Sequence, residues 1–306
     1  MKDSILILGA GTMQGPAILA AKKLGLETYV IDANEQAPCV KDADHFSKID
    51  LKDRDKIFEC ALSLFERMNL KAVFTAGTDF SANAAFSANK LGFAGHSYEA
   101  CVNASDKALM RQCFRNARVP SPHFILIEKR YLKNTLTASV VASLKFPYVV
   151  KPVDNMGARG CRMVRNRDEL FVAVDEALKH SRSGRALLEE YMEGPEYSID
   201  ALVYDGTFTV TGFAERRISF EPYFVELGHT MPAKIPYMRW ALLVETFARG
   251  AKALGLSCGA AGGGRPLEKL PAFPSAGALY EKSAAGQLLR RLLRPSDRRY
   301  SGASGA

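Results

Sequence analysis

Short apolar runs alternate with amphipathic stretches along the first hundred residues. Apolar runs of four or five residues are typical of buried strands, and longer stretches with one apolar face are typical of helices packed on a sheet. The strands are predicted at residues 5–8, 27–31 and 72–75, and the helices at 16–24, 54–68 and 81–91. This alternation indicates a parallel sheet with right-handed crossovers, in an open α/β domain that ends near residue 100.

The pattern then changes to strands that follow one another closely, which indicates an α+β region. Asp205-Gly206 between two of these strands is a strong hairpin signal. Asp168 is in position to cap a helix, and Gly255 ends the last helix. The helices are predicted at residues 107–117, 135–143, 168–180 and 239–254, and the strands at 124–127, 148–151, 162–164, 187–191, 196–204 and 207–215.

A glycine-rich turn joins the first strand to the first helix. Gly9, Gly11 and Gly15 lie where backbone N–H groups and the helix dipole can hold an anion. Asp32, at the end of the second strand, would fit a ribose contact. The spacing is GxGxxxG, however, whereas the dinucleotide fingerprint is GxGxxG. Two interpretations stay open here: an NAD(P)-dependent oxidoreductase, and a tight turn that needs glycine for packing.

A second set of motifs indicates a phosphate-binding cleft further along the chain. Lys151 ends a predicted buried strand and should point its ammonium into a cleft, where a phosphate would supply the counter-charge. The glycines of the loop at residues 154–160 allow a close backbone approach to phosphates, and Arg159 adds charge. The break between strands 187–191 and 196–204 can offer an adenine one N–H and one C=O.

The order of these motifs resembles that of the ATP-grasp superfamily. The matching segments are Asp106-Lys107, Val150-Lys151-Pro152, the loop 155–160 and residues 189–196. The segments at 9–15, 105–110 and 222–229 are similar to the branch of stand-alone proteins that resemble the carbamoyl phosphate synthase large subunit and amino-acid ligases. The resemblance covers about residues 1–258.

This resemblance implies a Rossmann-like pre-ATP-grasp domain at residues 1–104 and an ATP-grasp domain at 105–258, with ATP between two antiparallel sheets. Lys107 and Lys151 would contact phosphate and the adenine side of the nucleotide. The glycine loop at residues 155–160 would close over the phosphates, and Glu196 would bind the ribose hydroxyls. Glu189 and Glu190 would border the adenine hinge. The full set implied to bind ATP is Lys107, Lys151, Asn155, Met156, Gly157, Gly160, Glu189, Glu190, Tyr191, Met192 and Glu196.

The family reaction activates a small carboxylate as an acyl phosphate, which an amine then captures. Such chemistry depends on positioning and charge neutralisation. The resemblance implies that Arg216 or Arg217 binds the carboxylate or the transferring phosphate, and that Glu226 and His229 face the acceptor site. For His229 the alternative is a structural histidine in a turn. A non-catalytic or vestigial nucleotide-binding protein is the alternative for the whole chain.

The composition changes abruptly after Cys258. In residues 259–306, Gly, Ala, Ser and Pro supply 26 of the 48 residues, and Val, Ile and Thr are absent. We expect a poorly ordered basic tail there. The family holds Mg²⁺ with acidic residues on late strands, the second in a Glu-x-Asn pattern, and this chain has no asparagine after Asn166. Either the reading frame changes near Cys258, or the chain is a shortened homologue whose metal site is degraded or supplied by a partner. The metal ligands stay unassigned.

Charge and hydropathy narrow the functional class. The 306 residues carry a net charge of +8, but residues 259–306 account for +5 of it, with eight Lys/Arg against three Asp/Glu. The body is therefore not strongly basic, which argues against nucleic-acid binding. No apolar run approaches the roughly 20 residues of a membrane helix. We expect a cytoplasmic protein that acts on small molecules. Because dimers are common in the family that the chain resembles, the resemblance also suggests a homodimer.

Overall fold

The computed structural model describes residues 2–205 and 207–266, with side chains up to residue 261. The first part of the chain forms a sheet of β1 (Asp3–Leu8), β2 (Glu27–Asp32), β3 (His45–Lys48) and β4 (Asn69–Thr75). The strands are parallel, in the order β3-β2-β1-β4. They are accompanied by α1 (Gly15–Lys23), a 3₁₀ turn (Val40–Asp42), α2 (Arg54–Arg67), α3 (Ser81–Lys90) and α4 (Tyr98–Ser105).

Strand β1 is the centre of this first domain, because both of its faces are covered. Ile5 and Ile7 pack in one hydrophobic cluster with residues of α1, whereas Leu6 and Leu8 pack in another with residues of α2 and α3. Alternate side chains of a strand point to opposite faces, so an unbroken apolar run is what a doubly covered strand requires. The predicted parallel α/β domain is thus confirmed.

The second sheet is antiparallel and follows a long linker helix, α5 (Lys107–Asn116). Its strands are β5 (Phe124–Glu128), β6 (Tyr148–Pro152), β7 (Arg162–Val164) and β8 (Arg185–Glu190), in the order β5-β8-β6-β7. Its other elements are a 3₁₀ turn (Lys129–Tyr131), α6 (Leu132–Thr135), α7 (Ala138–Ser143) and α8 (Arg167–His180).

Two helix predictions in this region were wrong in detail. The helix predicted at residues 135–143 is divided into α6 and α7, because Thr137 leaves the helical conformation and caps α7. Helix α8 is capped by Asn166, whose side chain accepts a hydrogen bond from the backbone N–H of Glu169 at 3.0 Å. Asp168, the predicted cap, lies inside the first turn instead.

The third sheet carries the longest strands. It contains β9 (Glu196–Tyr204), β10 (Thr207–Ser219), β11 (Val225–Thr230) and β12 (Gly259–Pro266), with α9 (Tyr237–Leu254) between the last two. The strand order is β11-β10-β9-β12 and every pairing is antiparallel. Helix α9 packs its buried face on the sheet and ends at Gly255, as predicted. Gly255 adopts φ = +85°, which favours glycine at this position.

Strand β12 corrects the expected start of the tail at residue 259. The strand pairs with β9 along its whole length through backbone hydrogen bonds, which need no strand-forming side chains. Ala261 lies opposite Ala201, and both are buried, so small side chains suit this position. The rest of the expected tail, residues 267–306, lies outside the described residues. No helix in the described part of the chain is long and apolar enough to cross a membrane.

Candidate functional site

The centre of the candidate site is a buried carboxylate that pairs with two cations. Glu189 on β8 is only 4% exposed. Its Oε1 accepts from Arg111 Nε at 2.8 Å, and its Oε2 lies 2.6 Å from Lys151 Nζ on β6. Burial alone raises the pKa of a carboxylate, but the Arg111 and Lys151 charges lower the pKa of Glu189 to about 2. The group is therefore a fixed counter-ion, and it holds the Lys151 ammonium at the cleft.

Lys107 carries a charge that the described residues do not neutralise. Its Nζ donates to the carbonyl of Asn155 at 2.6 Å, and no described carboxylate lies within 4 Å of it. Burial, reinforced by the nearby ammonium of Lys151, lowers the pKa of Lys107 to about 8. The ammonium groups of Lys107 and Lys151, from separate elements, thus lie in one cleft. An anion such as a phosphate would supply the counter-charge that Lys107 lacks.

The glycine loop between β6 and β7 is fixed at both of its ends. The carboxylate of Asp154 accepts from Ser181 Oγ at 2.9 Å and from the backbone N–H of Ser183 at 2.7 Å. Gly160 adopts φ = +72°, and a Cβ there would lie 2.8 Å from Cβ of His180. Gly157, in the middle of the loop, also has positive φ but has open space around it. The loop is therefore anchored at its ends and adaptable at its centre.

In the hinge, the segment after β8 that is predicted to contact adenine, two backbone N–H groups are already hydrogen-bonded within the protein. The N–H of Glu190 donates to His123 O at 3.0 Å, and that of Tyr191 donates to Pro147 O at 3.3 Å. Of the backbone donors predicted to contact adenine, the N–H of Met192 therefore stays available among the described pairings. The Tyr191 ring lies 6.2 Å from that of Phe224, which connects the hinge to the third sheet.

A row of charged side chains crosses three strands of the third sheet. Arg216 on β10 lies opposite Glu196 on β9 and His229 on β11. Its guanidinium pairs with Glu196 at 3.1 Å and with Glu226 at 2.6 Å, and Glu226 in turn lies 2.7 Å from Nε2 of His229. Burial raises the pKa of Glu196, and Arg216 opposes that effect. The row joins the expected ribose-binding residue to the expected acceptor residues.

Arg217 does not belong to this row. Neighbouring residues of a strand point to opposite faces of the sheet, and the guanidinium of Arg217 donates to Thr230 Oγ1 at 3.0 Å. Of the two arginines predicted for the carboxylate or transferring phosphate, only Arg216 lies with Glu196, Glu226 and His229.

The glycine turn of the first domain is filled by the protein itself. The side chain of Gln14 accepts from the N–H of Gly11 at 3.0 Å, and a Cβ at Gly9 would lie 3.0 Å from the same side chain. Asp32 accepts from the N–H of Ala10 at 2.9 Å. The N–H groups and the carboxylate that a dinucleotide would need are thus occupied, which favours the tight-turn interpretation over a nicotinamide site.

Two site residues were missed by sequence reasoning. Arg111 lies one helical turn after Lys107 on α5, so a charge on the buried face of an amphipathic helix was the available signal. Cys161 follows the glycine loop, and its electrostatic neighbours include Lys151, Glu189 and Lys107. Burial raises the pKa of the Cys161 thiol to about 11, so it stays protonated and neutral in the cleft.

The donor set fits a nucleoside triphosphate better than it fits a metal. Two ammonium groups and a glycine loop suit phosphates, a carboxylate suits ribose hydroxyls, and the hinge N–H suits a base. Nowhere in the described residues do three or more histidine, cysteine or acidic side chains form a group that could hold a metal ion.

Comparison with known proteins gives a family match for the antiparallel region of the chain. Residues 144–261, which contain β6 to β11, α9 and the start of β12, match the ATP-grasp domain family. Most of the two antiparallel sheets thus lies within the matched segment, and a parallel α/β domain precedes them.

Curated proteins resemble the chain over most of its length. The chain is 25% identical over 268 residues to uncharacterised protein y4rH of Sinorhizobium fredii, covering 84% of this chain and 54% of that protein. It is 26% identical over 239 residues to formate-dependent phosphoribosylglycinamide formyltransferase of Francisella tularensis, covering 74% of this chain and 58% of the relative. The chain thus spans little more than half the length of these curated relatives.

Solved structures share the fold at low sequence identity. L-amino acid ligase from Bacillus licheniformis has a TM-score of 0.73 at 20% identity, over 94% of this chain and 69% of the ligase. The biotin carboxylase domain dimer of Hydrogenobacter thermophilus 2-oxoglutarate carboxylase, solved with MgADP, ADP and bicarbonate, has a TM-score of 0.71 at 22% identity, over 91% of this chain and 64% of that one.

Proposed function

We propose that this protein binds ATP between its second and third sheets and is an ATP-dependent carboxylate–amine ligase. The observation that carries the proposal is the pair of ammonium groups, Lys107 and Lys151, that meet beside the glycine loop. Lys151 has Glu189 as its counter-ion, whereas the partly buried Lys107 donates only to a carbonyl oxygen. A terminal phosphate would complete the charge balance of this cleft.

Each part of the nucleotide has a candidate partner. Lys107, Lys151 and the loop residues Asn155, Met156, Gly157 and Gly160 would hold the phosphates, Glu196 would accept from the ribose hydroxyls, and the hinge segment Glu190, Tyr191 and Met192 would border the base. When bound, ATP supplies the phosphoryl group that activates a carboxylate as an acyl phosphate. An amine would then form the C–N bond at the acyl carbon as inorganic phosphate leaves.

The charged row on the third sheet suits the reacting groups. Arg216 would attract the transferring phosphoryl group, since a guanidinium matches the geometry of a phosphate. His229, oriented by Glu226 at 2.7 Å, would accept the proton that the amine loses. A carboxylate and an amine as substrates, Mg²⁺ as an accompanying ion and a homodimeric assembly are proposals that rest on relatives of this class.

Trapping with hydroxylamine tests the ligase chemistry. The whole chain is incubated with ATP, MgCl₂, hydroxylamine and a panel of carboxylic acids, and hydroxamate and ADP are measured together. We expect equal amounts of both products from at least one acid, and a loss of at least tenfold in Arg216→Met. Arg217→Met is the matched control and should keep the rate. ATP binding without hydroxamate from any acid would favour the non-catalytic alternative.

A further inference from the structure

A cavity of about 160 Å³ lies between the first domain and the helices that support the third sheet. Part of its lining is polar and comes from the loop after β4, from Lys107 and from the segment 154–156. The larger part is apolar and comes from α4, α5, α9 and β12. Nothing in the charged row or the hinge uses this cavity, although its polar side adjoins the glycine loop.

Helix α5 shows how the two kinds of lining are arranged. It contributes Lys107, Met110 and Phe114 to the cavity, at spacings that place them on one face of the helix. At 1.5 Å per residue, the charged position and the last apolar position are about 10 Å apart along the helix axis. Met110 and Phe114 are almost completely buried. The cavity therefore has an apolar end and a polar end, where Asp79 is paired with Arg182 and Asp154 is hydrogen-bonded to Ser181, while Lys107 has no carboxylate partner among the described residues.

Helix α9 supplies the facing wall. Phe247, Ala251 and Leu254 line the cavity at spacings of four and three residues, again on one helical face. Two aromatic rings, those of Phe114 and Phe247, are thus part of the apolar lining. Aromatic lining residues favour a ligand that presents a ring or a branched aliphatic group.

We propose that this cavity receives the apolar side chain of the carboxylate substrate and so selects acids with an aromatic or branched aliphatic tail. The inference rests on the proposed function, because it places the carboxylate beside the phosphate that Lys107 would hold. The volume supports the class of ligand, since an apolar cavity of about 150 Å³ is large enough to bind benzene. A tail of that size fits, whereas a charged tail would be desolvated against the apolar lining.

Calorimetric titration of the whole chain with three acids tests the selection. The probes are 3-phenylpropionate, propionate, which lacks the tail, and adipate, which has a charged tail. We expect 3-phenylpropionate to bind at least tenfold more tightly than either of the others, and benzene to compete with it. Equal affinities for the three acids, or no competition by benzene, would overturn the proposal without any variant.

A variant whose larger side chain fills the cavity provides a second test of the proposal. Ala251→Leu adds three carbon atoms to the apolar lining and should weaken 3-phenylpropionate at least tenfold. Leu242→Ala, on the exposed side of the same helix, is the control and should leave that affinity unchanged. ATP is titrated separately. ATP binding without a preference for the phenyl acid would overturn this proposal alone, whereas the preference without ATP binding would overturn the proposed function and leave the ligand class of the cavity standing.

Discussion

The carboxylate of Glu189 is the residue on which the charge balance of the cleft depends. Glu189→Gln keeps the shape of the side chain but removes the buried negative charge that pairs with Arg111 and Lys151. We expect the free energy of unfolding to fall by about 3–5 kcal/mol, because removing one partner of a buried ion pair leaves an uncompensated charge. Urea unfolding followed by circular dichroism measures this change.

Glu190→Gln is the control for that experiment. Glu190 is the next residue on β8 and points to the other face of the sheet, where it makes no ion pair with a described residue. Its substitution should change the free energy of unfolding by less than about 0.5 kcal/mol. A similar loss in both variants would contradict the assignment of Glu189 as the counter-ion.

Lys107 should make ATP binding depend on pH. The pKa of Lys107 is lowered to about 8, so below that pH the free protein already carries the charge that a phosphate needs. Above it, binding requires uptake of a proton, and the affinity should fall by up to tenfold per pH unit. Calorimetry between pH 7.5 and 9.5 measures the profile, above the range in which a terminal phosphate titrates (about pH 6).

Lys107→Arg separates this effect from general changes with pH. A guanidinium stays protonated across the whole range, so any remaining binding by the variant should be independent of pH. A flat profile in the unmodified chain, or an equally steep profile in the variant, would show that Lys107 does not hold the phosphate.

Site residues could be predicted from the sequence when they lie in a local motif, and could not when their role depends on a partner far away in the chain. Lys107, Lys151 and the glycine loop stand in a recognisable order, so they could be predicted without a structure. Arg111 had a local signal in its place on the buried face of α5, but its partner Glu189 is 78 positions away, and no local pattern reveals such a pair. The choice between Arg216 and Arg217 was also open, since it depends on which face of β10 meets Glu196.

At the scale of elements, the cap of α8 gives a direct comparison of prediction and structure. Asn166 caps the helix, whereas Asp168 lies within its first turn. We expect Asn166→Ala to lower the free energy of unfolding by about 1 kcal/mol, the usual cost of losing an N-cap. Asp168→Ala should cost less, about 0.3–1 kcal/mol, through the helix dipole alone. Thermal unfolding of both variants tests the order, and the reverse order would contradict the observed cap.

Strand β12 depends on a contact with the first domain. The His96 ring accepts from the N–H of Cys258 at 3.2 Å and lies 3.0 Å from Ala260 O. Gly259 has φ = +150°, and a Cβ there would lie 2.6 Å from Nε2 of His96. Gly259→Ala should therefore cost at least about 1–3 kcal/mol, from strain and displacement of the ring.

Gly95→Ala is the matched control for this contact. Gly95 precedes His96, has open space around it and does not need positive φ. Its substitution should leave urea unfolding almost unchanged. If both variants unfold at the same urea concentration, the contact between His96 and Gly259 does not hold β12 in place.

Elements with clear periodicity were predicted well, and elements without it were missed. Strands β3 and β11 lie at sheet edges and expose most of their side chains, so they show no buried alternation. Strand β12 has a composition that local propensity assigns to a loop, and only its pairing with β9 makes it a strand. These elements depend on tertiary contacts, which a single sequence does not display.

For the whole molecule, the sequence indicated the layers but not how they meet. The change from alternating strands and helices to closely spaced strands located the boundary between the parallel sheet and the antiparallel sheets. The approach of the second sheet to the first domain depends on distant pairs such as Arg185 with Asp106 and Arg182 with Asp79. These contacts place Lys107, at the start of α5, beside the glycine loop of the second sheet.

The central claim is that ATP binds where Lys107 and Lys151 meet, and calorimetric titration with ATP tests it most directly. The full chain, Lys107→Met, Lys151→Met and Lys179→Met are compared, the last being an exposed lysine on α8. We expect saturable binding, a loss of at least tenfold in affinity for the first two variants, and an unchanged affinity for Lys179→Met. Equal affinity in all four proteins, or no binding by the full chain, would contradict it.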